Sequence, residues 1–419
     1  MLADTERPLP DLDRMRRLVD VLGHPEAAAP VIHVTGTNGK TSTARGVTAL
    51  LAAKGLRVGT FTSPHLERIN ERIVADGEPI SDADLAEVLT DVAGVEPLLG
   101  DGIRLTWFEI LTGAALRWFA DRPVDVAVFE VGLGGRWDAT NVVDASVAVV
   151  TNIGLDHTEF LGPTRADVAG EKAGIVKPGA ILVLAERDPQ LRPIFEREHP
   201  QDLWWAGHQY DCDRNDLAVG GRVLDLWTPQ ATYEDVWLDL HGSYQGDNFA
   251  AAVAATEAFF GSPLEDRVVR EAAATVSSPG RLEIVGHDPL VLLDGAKNLE
   301  GAQRAAAAVL EEFGAVSSLI LVVGMLHGKD PEAMLRALGA ASSRLVVACP
   351  PPSPRAQPAA TLAAAAARIG VEAVAADSVP DALDIALGRA GPDDLILVTG
   401  SLYVVGAARA ALAVRSRRS

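Results

Sequence analysis

The stretch VIHVTGTNGKTSTARG, residues 31–46, limits what this chain can fold into more than any other. An apolar, β-branched run reaches a turn carrying Gly36 and Gly39, and a helix-compatible segment then runs to Gly55. Strand, glycine turn and helix in that order leave unpaired backbone N–H groups at a helix N-terminus, where they attract anions. Lys40 can reach phosphate oxygens, and Thr41 offers a hydroxyl suited to a magnesium ion. In the general phosphate-loop pattern a glycine stands five positions before the Gly-Lys pair. Val34 takes that place here, so the match is incomplete. The competing reading, a glycine turn with a solvated lysine, is disfavoured by the strand and helix that flank it. Thr37, Asn38, Gly39, Lys40 and Thr41 are the candidate phosphate contacts.

The alternation continues. RVGTFT, VDVAVFEV and SVAVVTNI are apolar runs of the kind a parallel sheet buries on both faces. Helix-like segments between them predict a doubly wound α/β domain. From 204 to 240, Trp204, Trp205, Tyr210, Trp227, Tyr233 and Trp237 stand among alternating polar residues and glycine turns, which predicts a few antiparallel strands. An alanine-rich helix follows over 248–260. After SSPGRLEIV the runs LVLLD, SLILVVG, RLVVAC and DLILVTG predict a second, smaller Rossmann-like α/β domain. A chain of 419 residues exceeds one ordinary core, and the boundary falls within 279–286, giving domains 1–283 and 284–419.

The 37 basic and 57 acidic side chains leave a formal charge of −20, which repels nucleic acid and anionic membrane surfaces. No apolar run approaches the length of a membrane span. The start, MLADTERPLPDLDRMRR, puts acids and prolines where an export signal needs an apolar core. Cys212 and Cys349 are too few for a disulfide framework and lack metal-ligand spacing, so both are expected as buried thiols in a reducing cytoplasm.

TGTNGKT resembles the loop of the Mur ligase superfamily, ATP-dependent enzymes that join a carboxylate to an amino acid. FTSPHLERINERI (61–73), TWFEILTGAAL (106–116), EVGLGGRWDATNVV (130–143), TNIGLDHTEFLG (151–162), EKAGIVKPG (171–179), GSYQGDN (242–248), PGRLE (279–283) and GSLYVVG (400–406) follow in order. Together they resemble folylpolyglutamate synthase and dihydrofolate synthase over essentially the whole chain. The fold implied is a phosphate-loop domain of Mur ligase type that binds ATP and folate, followed by a Rossmann-like domain that binds glutamate. The chemistry implied is attack of an acid's carboxylate on the γ-phosphate of ATP, then displacement of phosphate from the acyl phosphate by an amine. Charge developing between two anions calls for divalent metal; the resemblance implies two Mg2+ ions, with K+ left open.

By the same resemblance Glu130, His157 and Ser63 are magnesium ligands, with Thr41 a further candidate on phosphate-loop grounds. Lys172 matches a lysine that takes up carbon dioxide as a carbamate, chemistry that requires an unprotonated amine. Lys40, Glu130, His157 and Lys172 form the expected catalytic set. Asn248, Arg281 and Asp294 are assigned to ATP: an amide for the adenine edge, a guanidinium for phosphate and a carboxylate for ribose hydroxyls. Arg281 lies at the domain boundary, so ATP is expected between domains. Thr106, Trp107, Phe108 and Glu109, with Trp137, Asp138 and Ala139, are placed near a pteridine-bearing acid, and Lys297 and Ser401 complete the substrate set. Each has an ordinary alternative: a turn serine at Ser63, a structural histidine at His157, a Glu171 partner at Lys172 and core packing for the aromatics.

The chain departs from the family pattern at three places. Thr41-Ser42 follows Lys40 where Gly-Ser is common, Gly328 replaces an acid, and LLDGAKNLEGA carries Lys297 for histidine and Leu299 for proline. A charged lysine has three donors and no acceptor, so it would hold carboxylates but serve poorly as a base. The expected activity is ligation of L-glutamate to dihydropteroate or a folate by a monomer. A Mur-type ligase for another acid and amino acid, and a nucleotide-binding protein without ligation, are the alternatives.

Overall fold

The computed structural model describes residues 12–100 and 102–416. The N-terminal segment read above for an export signal lies, up to residue 11, outside them. The chain divides into two compact units. The first takes the chain to Pro64, then Ile69–Asp239 and Gln245–Ser277; the second takes His65–Arg68, Leu240–Tyr244 and the chain from Ser278.

The first unit is built on eight strands: β1 (Val31–Thr35), β2 (Val58–Phe61), β3 (Ile73–Ala75), β4 (Glu78–Pro79), β5 (Val126–Glu130), β6 (Ala145–Val150), β7 (Ile181–Leu184) and β8 (Asp202–Trp205). Their order is β4-β3-β2-β5-β1-β6-β7-β8. All pairings are parallel except those of β3, which runs antiparallel to β2 and β4. β1 and β5 are buried along their whole length, as their unbroken apolar runs predict. From β1 the chain builds first toward β2 and β5, and later toward β6, β7 and β8 on the other side. This reversal of direction is where doubly wound sheets form their ligand crevice, beyond the carboxyl ends of the strands. The register pairs Val34 with Glu130 and Thr35 with Val150, so the ends of β5 and β6 flank the start of the glycine loop.

The aromatic segment departs from expectation in one respect. Trp204 and Trp205 do not join antiparallel strands; they lie in β8, parallel to β7 at the sheet edge. Two consecutive large apolar side chains need cover on both faces, and both are buried there. Trp205 Nε1 donates to the Glu186 carbonyl at 2.7 Å. The expected antiparallel strands follow as β9 (Asp211–Ala218), β10 (Gly221–Trp227) and β11 (Thr232–Leu238). The alanine-rich helix begins slightly early, at Tyr244–Phe260.

The second unit holds β12 (Glu283–His287), β13 (Leu290–Leu293), β14 (Leu319–Val323), β15 (Leu345–Ala348), β16 (Ala373–Ala375) and β17 (Leu395–Thr399), in the order β12-β13-β17-β14-β15-β16. Only the β12–β13 pairing is antiparallel. Period-two alternation sends Leu292, Leu321, Val323 and Leu397 into one core cluster and Leu293, Ile320, Val322 and Ile396 into another. Both faces are thus covered, the Rossmann-like layering expected from the sequence. Cys349 is buried, Cys212 is half-buried, and neither is in a disulfide. Among the described residues no helix is long and apolar enough to cross a membrane.

Candidate functional site

The glycine loop is fixed by its neighbours. Gly39 has φ +82°, and a Cβ there would stand 2.4 Å from Asn248 Oδ1. A Cβ on Gly36 would come within 1.7 Å of Thr151 Oγ1. The loop is also stitched to the segment after β6. Thr37 N donates to the Asn152 carbonyl at 3.0 Å, Asn38 N to Asn152 Oδ1 at 2.7 Å, and Thr151 Oγ1 to the Asn38 carbonyl at 2.6 Å. Thr37 Oγ1 donates to the Gly154 carbonyl and accepts from its amide. Lys40 Nζ folds over the loop, donating to the Gly36 carbonyl at 2.9 Å. The helix Lys40–Ala53 begins at the end of this loop, so its first amides face the crevice. Asn248 Nδ2 donates to Gln245 Oε1 at 3.0 Å.

Glu130 ends β5 with its carboxylate almost wholly buried. Thr41 Oγ1 lies 2.9 and 3.0 Å from its two oxygens, and Ser63 N donates to Oε2 at 3.1 Å. Thr41, Ser63 and Glu130 are thus brought together. A hydroxyl and a carboxylate at a phosphate loop form the hard-oxygen donor set that magnesium takes, with phosphate and water oxygens completing its shell. Among the described residues no three His, Cys, Asp or Glu side chains converge as a metal cage. These residues therefore fit an ion that uses one carboxylate, not a preformed protein cage.

His157 caps the short helix Thr158–Leu161 in left-handed backbone, with ring nitrogens 3.8 Å from Asp156 and 3.9 Å from Glu159 carboxylate oxygens. Lys172 is buried in the last turn of the helix Arg165–Ala173. The loop following Glu130 lies against that turn: Arg136 N donates to the Glu171 carbonyl at 2.8 Å, and a Cβ on Gly135 would sit 3.0 Å from Lys172 Cα. Burial raises the Glu171 carboxyl above its usual range, with Arg136 and Lys172 pulling it back.

Thr106 and Glu109 form a reciprocal N-terminal cap on the helix Trp107–Asp121: Glu109 N donates to Thr106 Oγ1, and Thr106 N to Glu109 Oε2. Arg14 pairs with Glu109 Oε1 at 2.8 Å. Their polar groups therefore serve the helix. Trp107 and Trp137 are exposed aromatic faces, and the Arg72 guanidinium lies 4.5 Å from the Trp107 ring. Phe108 packs against Phe61 and touches Gly132 so closely that a Cβ there would be 2.5 Å from the ring. Ala139 is buried. Asp138 accepts from Thr140 Oγ1 at 2.5 Å, Thr140 N at 3.0 Å and Leu133 N at 2.9 Å. Burial raises its pKa, and those hydrogen bonds oppose the rise.

The second unit groups Arg281 and Asp294. The Asp294 carboxylate accepts from Leu282 N at 3.1 Å and Ala296 N at 2.9 Å. Burial raises its pKa, and Arg281 is the largest opposing influence. Lys297 is exposed beside Asn298, which caps the helix Leu299–Phe313 by accepting from Gly301 N. Ser401 is buried, and its Oγ accepts from Tyr403 N.

The sequence reading missed the roles of Asn152 and Gly154 in holding the loop, and of His33 and Thr140 behind Asp138. A histidine inside an otherwise apolar strand was the available signal. A cleft of about 540 Å³ along the Lys40–Ala53 helix, lined by Arg45, Thr48, Thr60, Thr62, Glu71 and Glu271 among others, includes none of the expected site residues.

Two family models match the chain: the Mur ligase middle domain over residues 99–256 and the Mur ligase glutamate ligase domain over 280–402. The dihydrofolate synthase/folylpolyglutamate synthase of Mycobacterium tuberculosis is 39% identical, across 96% of this chain and 89% of its own. The structure of E. coli FolC in complex with DHPP and ADP superposes with a TM-score of 0.89 at 32% identity, covering 100% of this chain and 96% of that one. A bifunctional folylpolyglutamate synthase/dihydrofolate synthase with Mn, AMPPNP and L-glutamate bound gives 0.86 at 31% identity, covering 98% and 96%. A phosphate loop sewn to the segment after β6, a buried glutamate against its threonine, and relatives matched along nearly their whole length lead to one assignment: the chain belongs to the folylpolyglutamate synthase/dihydrofolate synthase family of Mur ligases.

Proposed function

We propose that this chain is an ATP-dependent ligase that joins L-glutamate to dihydropteroate or a folate, and that both activities reside in one protein. The observation that carries the reading is the Thr41–Glu130 pair at the mouth of a rigid phosphate loop. Loop amides and Lys40 hold the ATP phosphates, Asn248 lies against the loop at Gly39, and Arg281 and Asp294, which stand together, are further nucleotide-binding residues in this reading. Thr41, Glu130, Ser63 and His157 hold divalent metal, two Mg2+ ions in this reading. When bound, the metal neutralises charge between the phosphates and the incoming carboxylate. The carboxylate attacks the γ-phosphorus and ADP leaves; the glutamate amine then attacks the acyl carbonyl and phosphate leaves. Lys172, buried beside the loop that follows Glu130, is the site of carbamylation, which would exchange a cation for an oxygen-bearing anion near the metal. K+ is a further cation to test in the same assay.

Phe108, Trp137 and Asp138 define the acid-substrate end, and Lys297 and Ser401 the glutamate end. Residues 1–283 carry the phosphate loop and the acid-substrate residues, and 284–419 carry Asp294 and the glutamate-binding residues. The protein works as a cytoplasmic monomer without nucleic acid. Supporting the substrates are the DHPP and L-glutamate held by the two solved relatives.

The test supplies purified protein with MgATP, bicarbonate and L-glutamate, and dihydropteroate or tetrahydrofolate in parallel tubes. Mass spectrometry reads the product. A gain of one glutamyl residue in either tube supports the ligase. No product from a preparation that binds ATP overturns the choice of acid or amine and turns attention to Lys297.

A further inference from the structure

We propose that His33 and Thr140 are positioning residues for the acid-substrate end: one hydrogen-bonded chain through them fixes the orientation of the Asp138 carboxylate, whose Oδ2 side meets the substrate's heterocycle. This rests on the reading above, in which that heterocycle lies by Phe108, Trp137 and Asp138.

His33 is fully buried in β1, and its Nε2 lies 2.8 Å from Thr140 Oγ1. The same hydroxyl donates to Asp138 Oδ1 at 2.5 Å. A hydroxyl has one proton, and here it goes to the carboxylate. Toward the imidazole it can then only accept, so the ring carries its proton on Nε2. Nδ1 is left buried without a partner. An apolar residue of the same shape would avoid that loss. What histidine adds is a donor that turns the Thr140 hydroxyl toward Asp138. Burial favours the neutral ring this bonding needs.

Thr140 N also donates to Oδ1, and Leu133 N to Oδ2. The Gly132 amide also acts on this carboxylate, so Asp138 is held by donors from the loop before it as well as from Thr140. Oδ2 and the edge of Phe108 flank the same residue: a Cβ on Gly132 would stand 3.2 Å from Oδ2 and 2.5 Å from the ring. A flat heterocycle packed by Phe108 and carrying an N–H or amino donor at its edge fits this arrangement. The apolar ring gives affinity, and the held oxygen selects for the donor.

The test measures steady-state kinetics for Thr140→Val, Thr140→Ser, His33→Leu and the double variant His33→Leu/Thr140→Val. Thr140→Val should raise KM for the acid about tenfold, with kcat and the KM for ATP within about twofold of wild type. Thr140→Ser should restore most of the loss. His33→Leu should move the acid KM the same way by about threefold, and the double variant should match Thr140→Val, because one break severs the chain. Equal damage to ATP and acid, or a serine variant as impaired as valine, overturns the proposal. Independently, 15N NMR of histidine-labelled wild-type protein should show His33 protonated on Nε2; a proton on Nδ1 overturns it even where a variant fails to fold. If wild-type protein turns over neither acid, the functional reading fails, and the tautomer still decides the bonding.

Discussion

Glu130 and His33 are both buried in the central strands of one sheet, and their hydrogen-bond partners set them apart. Glu130 accepts from Thr41 Oγ1 and Ser63 N, the hydroxyl and amide that stand beside the phosphate loop. Glu130→Gln keeps the shape and removes the carboxylate. It should lower turnover at least about a hundredfold while ATP affinity changes little, because the loop amides and Lys40 remain. Rapid-quench turnover and equilibrium titration with a nucleotide analogue read the two separately; surviving turnover would refute the metal assignment. His33 is held neutral, its pKa pushed down to about 3 by burial with Lys177 adding to the shift. The unfolded chain therefore takes up a proton below the ordinary value of about 6.5 that the folded chain refuses. Its stabilising effect is complete above that pH and lost as pH falls toward the folded value. Between pH 7 and 5 the loss is about 2 kcal/mol. Urea unfolding at both pH values should show His33→Leu losing less stability than wild type by that amount; equal losses would place the protonation elsewhere.

At the scale of elements, the phosphate loop stays rigid through contacts distant in sequence. Gly39 is needed twice, for its left-handed φ and for the approach of Asn248. Gly39→Ala should cost about 1–2 kcal/mol of stability from backbone strain alone. Displacing Asn248 should also weaken ATP binding, at least about tenfold if its amide reads the base. Unaltered affinity by calorimetric titration would remove Asn248 from the nucleotide site. These contacts explain what was legible beforehand. β1, β2, β5 and β6 of the first sheet and β13, β14, β15 and β17 of the second could be read because unbroken apolar runs need cover on two faces, a local property of each run; the short strands β3, β4 and β16 carry no such run. The glycine loop could be read because its strand and helix adjoin it. Thr106 and Glu109, placed in the substrate set by the resemblance, also form a capping box whose three-residue spacing stands in the sequence. The stitch from Thr37 and Asn38 to Asn152 and Gly154, and the line from His33 to Asp138, join residues over a hundred positions apart. No local pattern encodes such pairings; they appear only when β1 and β6 lie side by side. Trp204 and Trp205 were misplaced for a related reason, since alternation cannot distinguish the edge of a parallel sheet from an antiparallel ribbon.

For the whole molecule, the distribution of tryptophan supplies a selective probe. All seven tryptophans, Trp107, Trp118, Trp137, Trp204, Trp205, Trp227 and Trp237, belong to the unit that carries the phosphate loop. Tryptophan fluorescence during heating therefore follows that unit, whereas far-ultraviolet circular dichroism follows the helices of both. A ligand that binds only the folded state adds RT ln(1 + [L]/Kd), about 2.7 kcal/mol at a hundredfold excess over Kd. For a unit of this size that should raise the fluorescence-detected midpoint by roughly 5–10 °C. A non-hydrolysable ATP analogue with magnesium should produce the shift. Lys40→Ala should remove most of it, because the neighbouring amides then face the phosphates without the lysine charge. Leaving out magnesium should reduce it, because Thr41 and Glu130 would meet the phosphates without a cation between them. A midpoint that ignores the nucleotide, or a shift that survives Lys40→Ala undiminished, would place ATP away from the loop.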